Sequence, residues 1–313
     1  MKIKSIILII AIIFTSCENN FDPNAEYKET FAVNALLRGD NNFQTVTIVE
    51  SINPSEFHSG NNETKFVENA DVKVVSGDQT YFYKDSLIFD ANNNPIHFYY
   101  NNEIEVNENK NFSLEVELPN GEKLTALTYV PRFFTFEGGA SNSVIDPTIN
   151  FGITVQWRIS AQDLFFHPQL YVNYSVIENG IEQFRRLEIP NSYITRDGKM
   201  EGKFSEPSSL KSFSVDYNTF AIALESLREI TPVPGNIKIY NAELVLKVYD
   251  ENLTKYYSST NVVANAFSSR VYGSDYSNIN GGLGIFASYM VHSYRMLIST
   301  DYIKSFGYSF VEE

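Results

Sequence analysis

Apolar and polar residues alternate along most of this chain with a period of two. The run Phe43-Gln44-Thr45-Val46-Thr47-Ile48-Val49 is the clearest case. Successive side chains of a strand point to opposite faces, so such a run buries one face and wets the other. Residues 31–37 form a more apolar strand, and Arg38-Gly39-Asp40-Asn41-Asn42 joins the two. Gly and Asn tolerate the positive φ that a tight turn requires. The pattern predicts further strands over 70–75, 79–83, 96–106, 111–118 and 123–130. Their separators are Gly77-Asp78, Asn92-Asn93-Asn94-Pro95, the polar stretch 107–110 and Pro119-Asn120-Gly121. Short strands at roughly ten-residue intervals with separators of this kind predict a β-sandwich. Residues 53–64 read as a longer loop.

Pro131 and the stretch 138–147 mark an expected boundary. Strands are predicted over 148–159, 169–177 and 181–189, and Asn179-Gly180 between the last two is the shortest hairpin signal available. Residues 195–209 are polar and rich in turn residues. Two segments read as helices. In 217–230, Phe220, Leu224 and Leu227 share one face and Thr231-Pro232 stops the run. The other begins at Asp250, a good N-cap, with Leu253, Tyr256 and Tyr257 on its apolar side. Residues 238–249 alternate between them as a strand. The 24 Phe and 20 Tyr suit pleated surfaces. The expected fold is mainly β. An N-terminal immunoglobulin-like or transthyretin-like β-sandwich over 29–131 is followed by a second β-rich domain over 132–313 with one or two short helices.

The first residues bear on the compartment. Lys2 and Lys4 precede the unbroken apolar stretch 6–14, and Thr15-Ser16-Cys17 follows. This is the layout of a secretory signal peptide, expected over 1–16 and kept apart from the fold. The stretch is shorter than the roughly 20 apolar residues that a membrane-spanning helix needs. Cys17 is the single cysteine, so the chain forms no internal disulfide. Its place resembles a bacterial lipobox, with Phe14 where Leu is usual, and marks Cys17 as the lipidation site. Residues 17–28 then read as a lipidated tether. Glu18-Asn19-Asn20-Phe21-Asp22 resembles the acidic surface-export signal of Bacteroidota lipoproteins, which favours the outer surface of the outer membrane over its periplasmic face. The net charge of −14 argues against nucleic acid or anionic lipid headgroups as partners.

Candidate chemistry is sparse. His58, His97, His167 and His292 are scattered and make no metal-ligand spacing. No Gly-x-Ser-x-Gly elbow is present. Gly282-Leu283-Gly284-Ile285-Phe286-Ala287 matches the dinucleotide fingerprint in form. That fingerprint must open a long βαβ unit, and too little chain follows, so a close-packed turn entering a strand is the better account. Loop oxygens such as those of Asp40-Asn41-Asn42 lack EF-hand spacing. Asp85-Ser86-Leu87 resembles the three-residue O-glycosylation signal of Bacteroidota exported proteins, making Ser86 a candidate modification site. Tyr81, Phe82, Tyr83, Phe98, Tyr99 and Tyr100 form a dense aromatic group, of which the outward half is a candidate contact patch. No catalytic, cofactor-binding or metal-binding residue is predicted, no cofactor is expected, and the chain reads as a binding module and not as an enzyme.

Several of these features together resemble a known family. They are the lipobox, Phe31-Ala32-Val33-Asn34-Ala35-Leu36, Val67-Glu68-Asn69-Ala70-Asp71-Val72-Lys73-Val74 and Tyr249-Asp250-Glu251-Asn252-Leu253. The most specific is Ser277-Asn278-Ile279-Asn280-Gly281-Gly282-Leu283-Gly284-Ile285-Phe286. The chain resembles the Bacteroidota outer-membrane lipoprotein family known as domain of unknown function 4249, over nearly its whole mature length. The resemblance carries over Cys17 as the lipid site and Gly281, Gly282, Gly284 and Phe286 as a structural signature. It implies an outer-membrane lipoprotein, often encoded near TonB-dependent receptors. Together with the lipid anchor and the β-module architecture, it leads to the expectation of an accessory partner of an outer-membrane β-barrel, a TonB-dependent transporter, in substrate capture or complex assembly. The alternatives are a free-standing surface glycan- or peptide-binding lipoprotein and a hydrolase with an unrecognised site.

Overall fold

In a computed structural model of the chain, the described residues are 29–51, 64–132, 134–137, 143–149, 151–159, 164–230, 233–260 and 276–310. The expected signal peptide, Cys17 and the tether lie outside them, as does His58.

Alternation decides which face each strand buries. In β1 (Phe31–Arg38), Phe31, Val33, Ala35 and Leu37 are buried and the residues between them are not. β2 (Gln44–Glu50), β3 (Asp71–Ser76), β4 (Gln79–Phe82), β5 (Lys84–Phe89), β6 (Pro95–Asn101), β7 (Asn111–Glu117) and β8 (Lys123–Tyr129) follow. β5, β6, β2 and β1 lie side by side in one sheet, and β4, β3, β7 and β8 form a second sheet facing it. Val33, Leu37, Val46, Ile48 and Tyr99 from the first meet Val72, Val74, Phe112, Leu114 and Leu124 from the second in one buried cluster. This is a β-sandwich, with inward residues of both sheets filling the space between them.

The remaining strands are β9 (Thr135–Glu137), β10 (Val144–Ile145), β11 (Gly152–Arg158), β12 (Phe166–Glu178), β13 (Ile181–Ile189), β14 (Ser192–Arg196), β15 (Lys199–Lys203), β16 (Ser212–Asp216), β17 (Ile237–Tyr249), β18 (Leu283–Ile298) and β19 (Ser309–Phe310). Among the described residues, three short α-helices accompany them: α1 (Tyr217–Ser226), α2 (Glu251–Thr260) and α3 (Thr300–Ser305). Asp216 caps α1 by accepting the Thr219 amide at 2.8 Å. The small sheet β16-β11-β9 and α1 cover β12 and β17, and Trp157, Phe166, Leu170, Phe213, Phe220 and Leu244 fill a second core.

The two cores share one sheet, ordered β13-β12-β17-β18-β1-β2-β6-β5. β18 is the joint. Its first half pairs in parallel with β1, from Ala32 opposite Leu283 to Arg38 opposite Tyr289. Its second half pairs antiparallel with β17, from Tyr249 opposite Tyr289 to Ala242 opposite Met296. Phe286 enters the first core and Met296 the second. The segment 132–313 thus supplies an inner strand to the sheet that forms one wall of the 29–131 sandwich.

The expected signature residues make that joint close enough to form. Gly281 (φ +85°) and Gly284 (φ +104°) adopt left-handed backbone that disfavours any side chain. A Cβ on Gly284 would lie 2.0 Å from the Val33 carbonyl oxygen, and one on Gly282 would lie 2.6 Å from that of Phe31. The turn then feeds β18, as the sequence predicts. Asn278 completes the turn like an extra strand residue: its side-chain nitrogen donates to the Phe286 carbonyl at 2.7 Å and its side-chain oxygen accepts the Phe286 N–H at 2.9 Å.

Asp250 fastens the joint from the side. One carboxylate oxygen accepts the Leu253 amide at 2.7 Å, which caps α2. The other accepts the Thr128 hydroxyl from β8 and, at 3.0 Å, the Ser288 amide from β18. The residue is 2 % exposed. Burial pushes its pKa up to about 6, against the pull of the hydrogen bonds from Thr128, Leu253 and Ser288.

Some expected elements end early or were missed. The strand expected over 96–106 stops at Asn101, whose side-chain oxygen accepts the amides of Glu103 at 2.8 Å and Ile104 at 3.1 Å and turns the chain. The strand expected over 148–159 begins only at Gly152. Asp146 accepts the Thr148 amide at 2.8 Å and holds a turn before it. The polar stretch 195–209 contains part of the β14–β15 hairpin, closed by Asp197 and Gly198 at φ +52° and +76°. The strand β5 was not predicted.

Two outcomes are expected. Gly284→Ala loses more than about 3 kcal/mol in urea unfolding, because both its φ and the Val33 backbone oppose a methyl group. Gly77→Ala has positive φ but open space around it, and should lose only about 1 kcal/mol. Equal losses at the two sites would contradict this account of the joint. For Asp250, the folded pKa is raised, so folding binds a proton between about pH 4 and 6. Its contribution to stability is present below that window and lost as pH rises through about 6, amounting to roughly 3 kcal/mol at most. The stability difference between wild type and Asp250→Asn should therefore drift by that order between pH 4 and 7. A difference constant across those pH values would refute the assignment.

Candidate functional site

The aromatic group expected near residues 81–100 divides between the two faces of the sandwich. Tyr83 and Tyr99 point inward and are buried. The Tyr99 hydroxyl accepts the Ala70 amide at 3.0 Å and donates to the Val67 carbonyl at 2.8 Å, so it stitches the loop before β3 to β6. Tyr81 packs partly against the same core. Phe82 is 62 % exposed.

Phe98 and Tyr100 belong to the outward face of β6. Tyr100 stacks on Phe43 with ring centroids 5.5 Å apart, and Phe98 lies 6.2 Å from Tyr100. The register carries the same face onward through Ser86 opposite Phe98 and Ile88 opposite Ile96. The result is an apolar strip on the outer surface of β2, β6 and β5. β5 ends the long sheet, and Leu87, Ile88 and Phe89 are all exposed along it. An edge strand presents unpaired main-chain groups on one side, which another chain can pair with. Strip and edge together are the candidate contact surface.

Ser86 sits half-buried in the middle of this strand. Its neighbour Asp85 accepts the Asn69 amide at 3.0 Å, so the acidic member of the modification-like triplet is tied to backbone.

The described histidines do not converge. The His97 Nε2 lies 3.0 Å from Glu68. His167 contacts the Tyr249 hydroxyl at 3.2 Å and the Ser205 carbonyl at 3.1 Å, and burial lowers its pKa, helped by Lys247. His292 packs its ring 4.4 Å from Phe134, with Glu108 at 3.3 Å, and burial lowers its pKa too. Among the described residues, no group of three or more His, Cys, Asp or Glu side chains is placed to hold a metal. The Asp40 carboxylate pairs with Arg38 at 3.1 Å, and the Asn41 side chain accepts the Phe43 amide at 2.8 Å. The loop oxygens are used by the loop itself.

A cleft of about 980 Å³ opens between β8 and α2, with Leu127 and Tyr129 on one wall, Asn252 and Lys255 on the other and Asp250 at its floor. Lys255 pairs with Glu251 one turn earlier, and Asp250 holds its four donors. Arg132 also lines the cleft, and its Nε donates to the Tyr129 hydroxyl at 3.4 Å. The Asp250 floor serves as a structural fastening. Asp250 was legible as a helix cap. Its ties to Thr128 and Ser288 were not, because they join residues far apart in the chain. A second outward aromatic pair, exposed Phe184 and half-buried Tyr240, carries no signal in the sequence pattern.

Residues 18–295 match the family described as Domain of unknown function (DUF4249). No curated protein matches the chain. The matched span includes the first core, most of the second, the glycine turn and most of β18, so nearly all of the joint is built from residues that the family model covers. Because the match extends over most of its length, this chain belongs to the DUF4249 family.

Proposed function

We propose that the protein is an outer-membrane-anchored lipoprotein that serves as the accessory partner of an outer-membrane β-barrel, a TonB-dependent transporter, in substrate capture or complex assembly. The observation that carries this reading is the Phe43–Tyr100–Phe98 strip beside the open edge of β5. Half-buried to exposed aromatic surface beside a strand edge that is unpaired among the described residues suits docking against another protein, since aromatics concentrate in interface cores.

The anchor supplies the second half of the mechanism. A lipid on Cys17 and the short polar tether behind it hold the folded body close to the bilayer. Each buried methylene contributes about 0.8 kcal/mol, so more than one acyl chain gives stable attachment. Tethering two proteins in one membrane raises their effective concentration, and a modest contact then suffices for a lasting complex. The acidic Glu18–Asp22 stretch supports the outer face of the membrane. Among the described residues no helix is long and apolar enough to cross a membrane.

Two measurements test the reading. Cys17→Ser should move the protein from the membrane fraction to the soluble fraction, and a variant that stays in the envelope would end the anchor argument. Purification of the lipidated protein in mild detergent should recover a barrel protein, and the double variant Phe98→Ala, Tyr100→Ala should lower that recovery by about tenfold. Recovery of no barrel, or equal recovery with the double variant, would rule out this docking surface.

A further inference from the structure

The other end of the long sheet carries a different outward surface. There β12 and β17 shift register between Asn173 and Tyr174. Ile239 and Ala242 both point into the core, fully buried. The two residues between them, Tyr240 and Asn241, therefore turn outward together. A β-bulge of this kind re-aims side chains and is common beside binding sites. A groove of about 620 Å³ lies over the bulge, lined by Asn173, Phe184, Arg186, Tyr240 and Asn241 among others.

Its chemistry is mixed in a specific way. Phe184, on the edge strand β13, is 72 % exposed, and its ring stands 5.5 Å from that of Tyr240 at an angle of 38°. The two rings form an open aromatic wall. Beside it, the Asn173 amide donates to the Asn241 side-chain oxygen at 2.7 Å. An amide carries two donors and an acceptor with two lone pairs. The pair therefore still offers the Asn241 amide nitrogen as donor and the Asn173 oxygen as acceptor. Asn241 itself is 6 % exposed, so this polar edge is set in the floor of the groove. The Arg186 guanidinium sits over the Tyr171 ring, 4.1 Å from its centroid.

Charge decides the class of ligand. Arg186 pairs with Glu243 at 2.9 Å, Arg185 with Glu178 at 2.7 Å and Lys238 with Glu182 at 3.0 Å. Each cation around the groove is matched by a carboxylate, and the chain as a whole carries −14. An anionic ligand would gain no unmatched cation and would meet an acidic protein. An extended apolar ligand would leave the Asn241 nitrogen and the Asn173 oxygen covered without a further partner.

We propose that this groove is a binding site for a neutral sugar unit of a glycan. A pyranose ring has one face of C–H groups and a rim of hydroxyls. The C–H face stacks on Phe184 and Tyr240, where the negative face of each ring attracts it. Neighbouring hydroxyls donate to the Asn173 oxygen and accept from the Asn241 nitrogen. The groove is open and solvent-facing, so it suits an internal unit of a longer polymer. The site stands apart from the aromatic strip on β2 and β6 and does not rest on the barrel reading.

The test uses the full lipidated chain in mild detergent. Native gels containing xylan, yeast mannan, amylopectin or a β-1,3-glucan supply neutral probes, and polygalacturonate supplies a charged one. At least one neutral polymer should retard the protein, and calorimetry with the matching oligosaccharide should show affinity reduced at least about tenfold by Phe184→Ala. Phe184 is on the surface, so this variant should keep the wild-type melting temperature. Asn241→Ala should lose affinity as well, and Asn241→Gln should recover part of it. Retardation by none of the neutral polymers, retardation by polygalacturonate alone, or undiminished binding by a folded Phe184→Ala variant would each overturn the assignment.

Discussion

The whole architecture depends on one strand making two different pairings. β18 runs for 16 residues and hydrogen-bonds to β1 along its first half and to β17 along its second, with Tyr289 opposite both Arg38 and Tyr249. Strands of this length are uncommon, and here the length has a reason. Either half alone would serve a single core. Only the full strand carries the ladder from one core into the next, so the two cannot slide past each other without breaking main-chain hydrogen bonds. Parallel pairing with β1 brings the N-terminal strand beside a segment nearly 250 positions later in the chain. That closure has a high entropic cost. It is offset by burying Phe31, Val33, Phe286 and Leu124 together, and by the Asp250 fastening.

The close approach at the start of β18 explains why three glycines cluster there. Gly281, Gly282 and Gly284 each face a backbone carbonyl of a neighbouring strand or turn, from Lys123, Phe31 and Val33 respectively. Backbone does not move aside as a flexible side chain does. The segment that carries the family resemblance is therefore explained by packing alone. A signature of this kind identifies the fold and says nothing of a ligand. Function has to be argued from surfaces elsewhere, as it does for most widely shared folds.

Most of the fold was legible because burial on one face leaves a period of two in the sequence. β1, β2, β7 and β8 show it, and each was located within about two residues. Where neither face is buried, the pattern has no cause. β5 is half-exposed or exposed along its whole length, and nothing in Lys84-Asp85-Ser86-Leu87-Ile88-Phe89 marks it as a strand. Its neighbour β6 selects it through backbone pairing. The early ends at Asn101 and Asp146 have a different origin. There a short polar side chain bonds the backbone two or three residues on, and the turn overrides an apolar run that would otherwise extend. The Asp197-Gly198 hairpin could have been read from its dipeptide. The bulge under the groove could not. Tyr240 and Asn241 break the alternation of β17 by one residue, and a single slip in a 13-residue strand looks in sequence like noise.

The two candidate surfaces share one sheet but do not compete. Both lie on its outward face, the strip at β2 and β6 and the groove at β12, β13 and β17. Between them α2 covers the centre, packing Leu253, Tyr256 and Tyr257 on Leu36, Ile285, Ala287 and Tyr289. Six strand spacings separate β13 from β6, which is roughly 29 Å at about 4.8 Å each. Adjacent strands also rotate by about 20–25°, so over that distance the surface normal swings through more than a right angle. A protein docked on the strip therefore looks out in a direction well away from the groove. Under the two proposals, a body with this geometry has room for a large partner on one flank and a glycan on the other, because twist and distance keep their occupants from meeting.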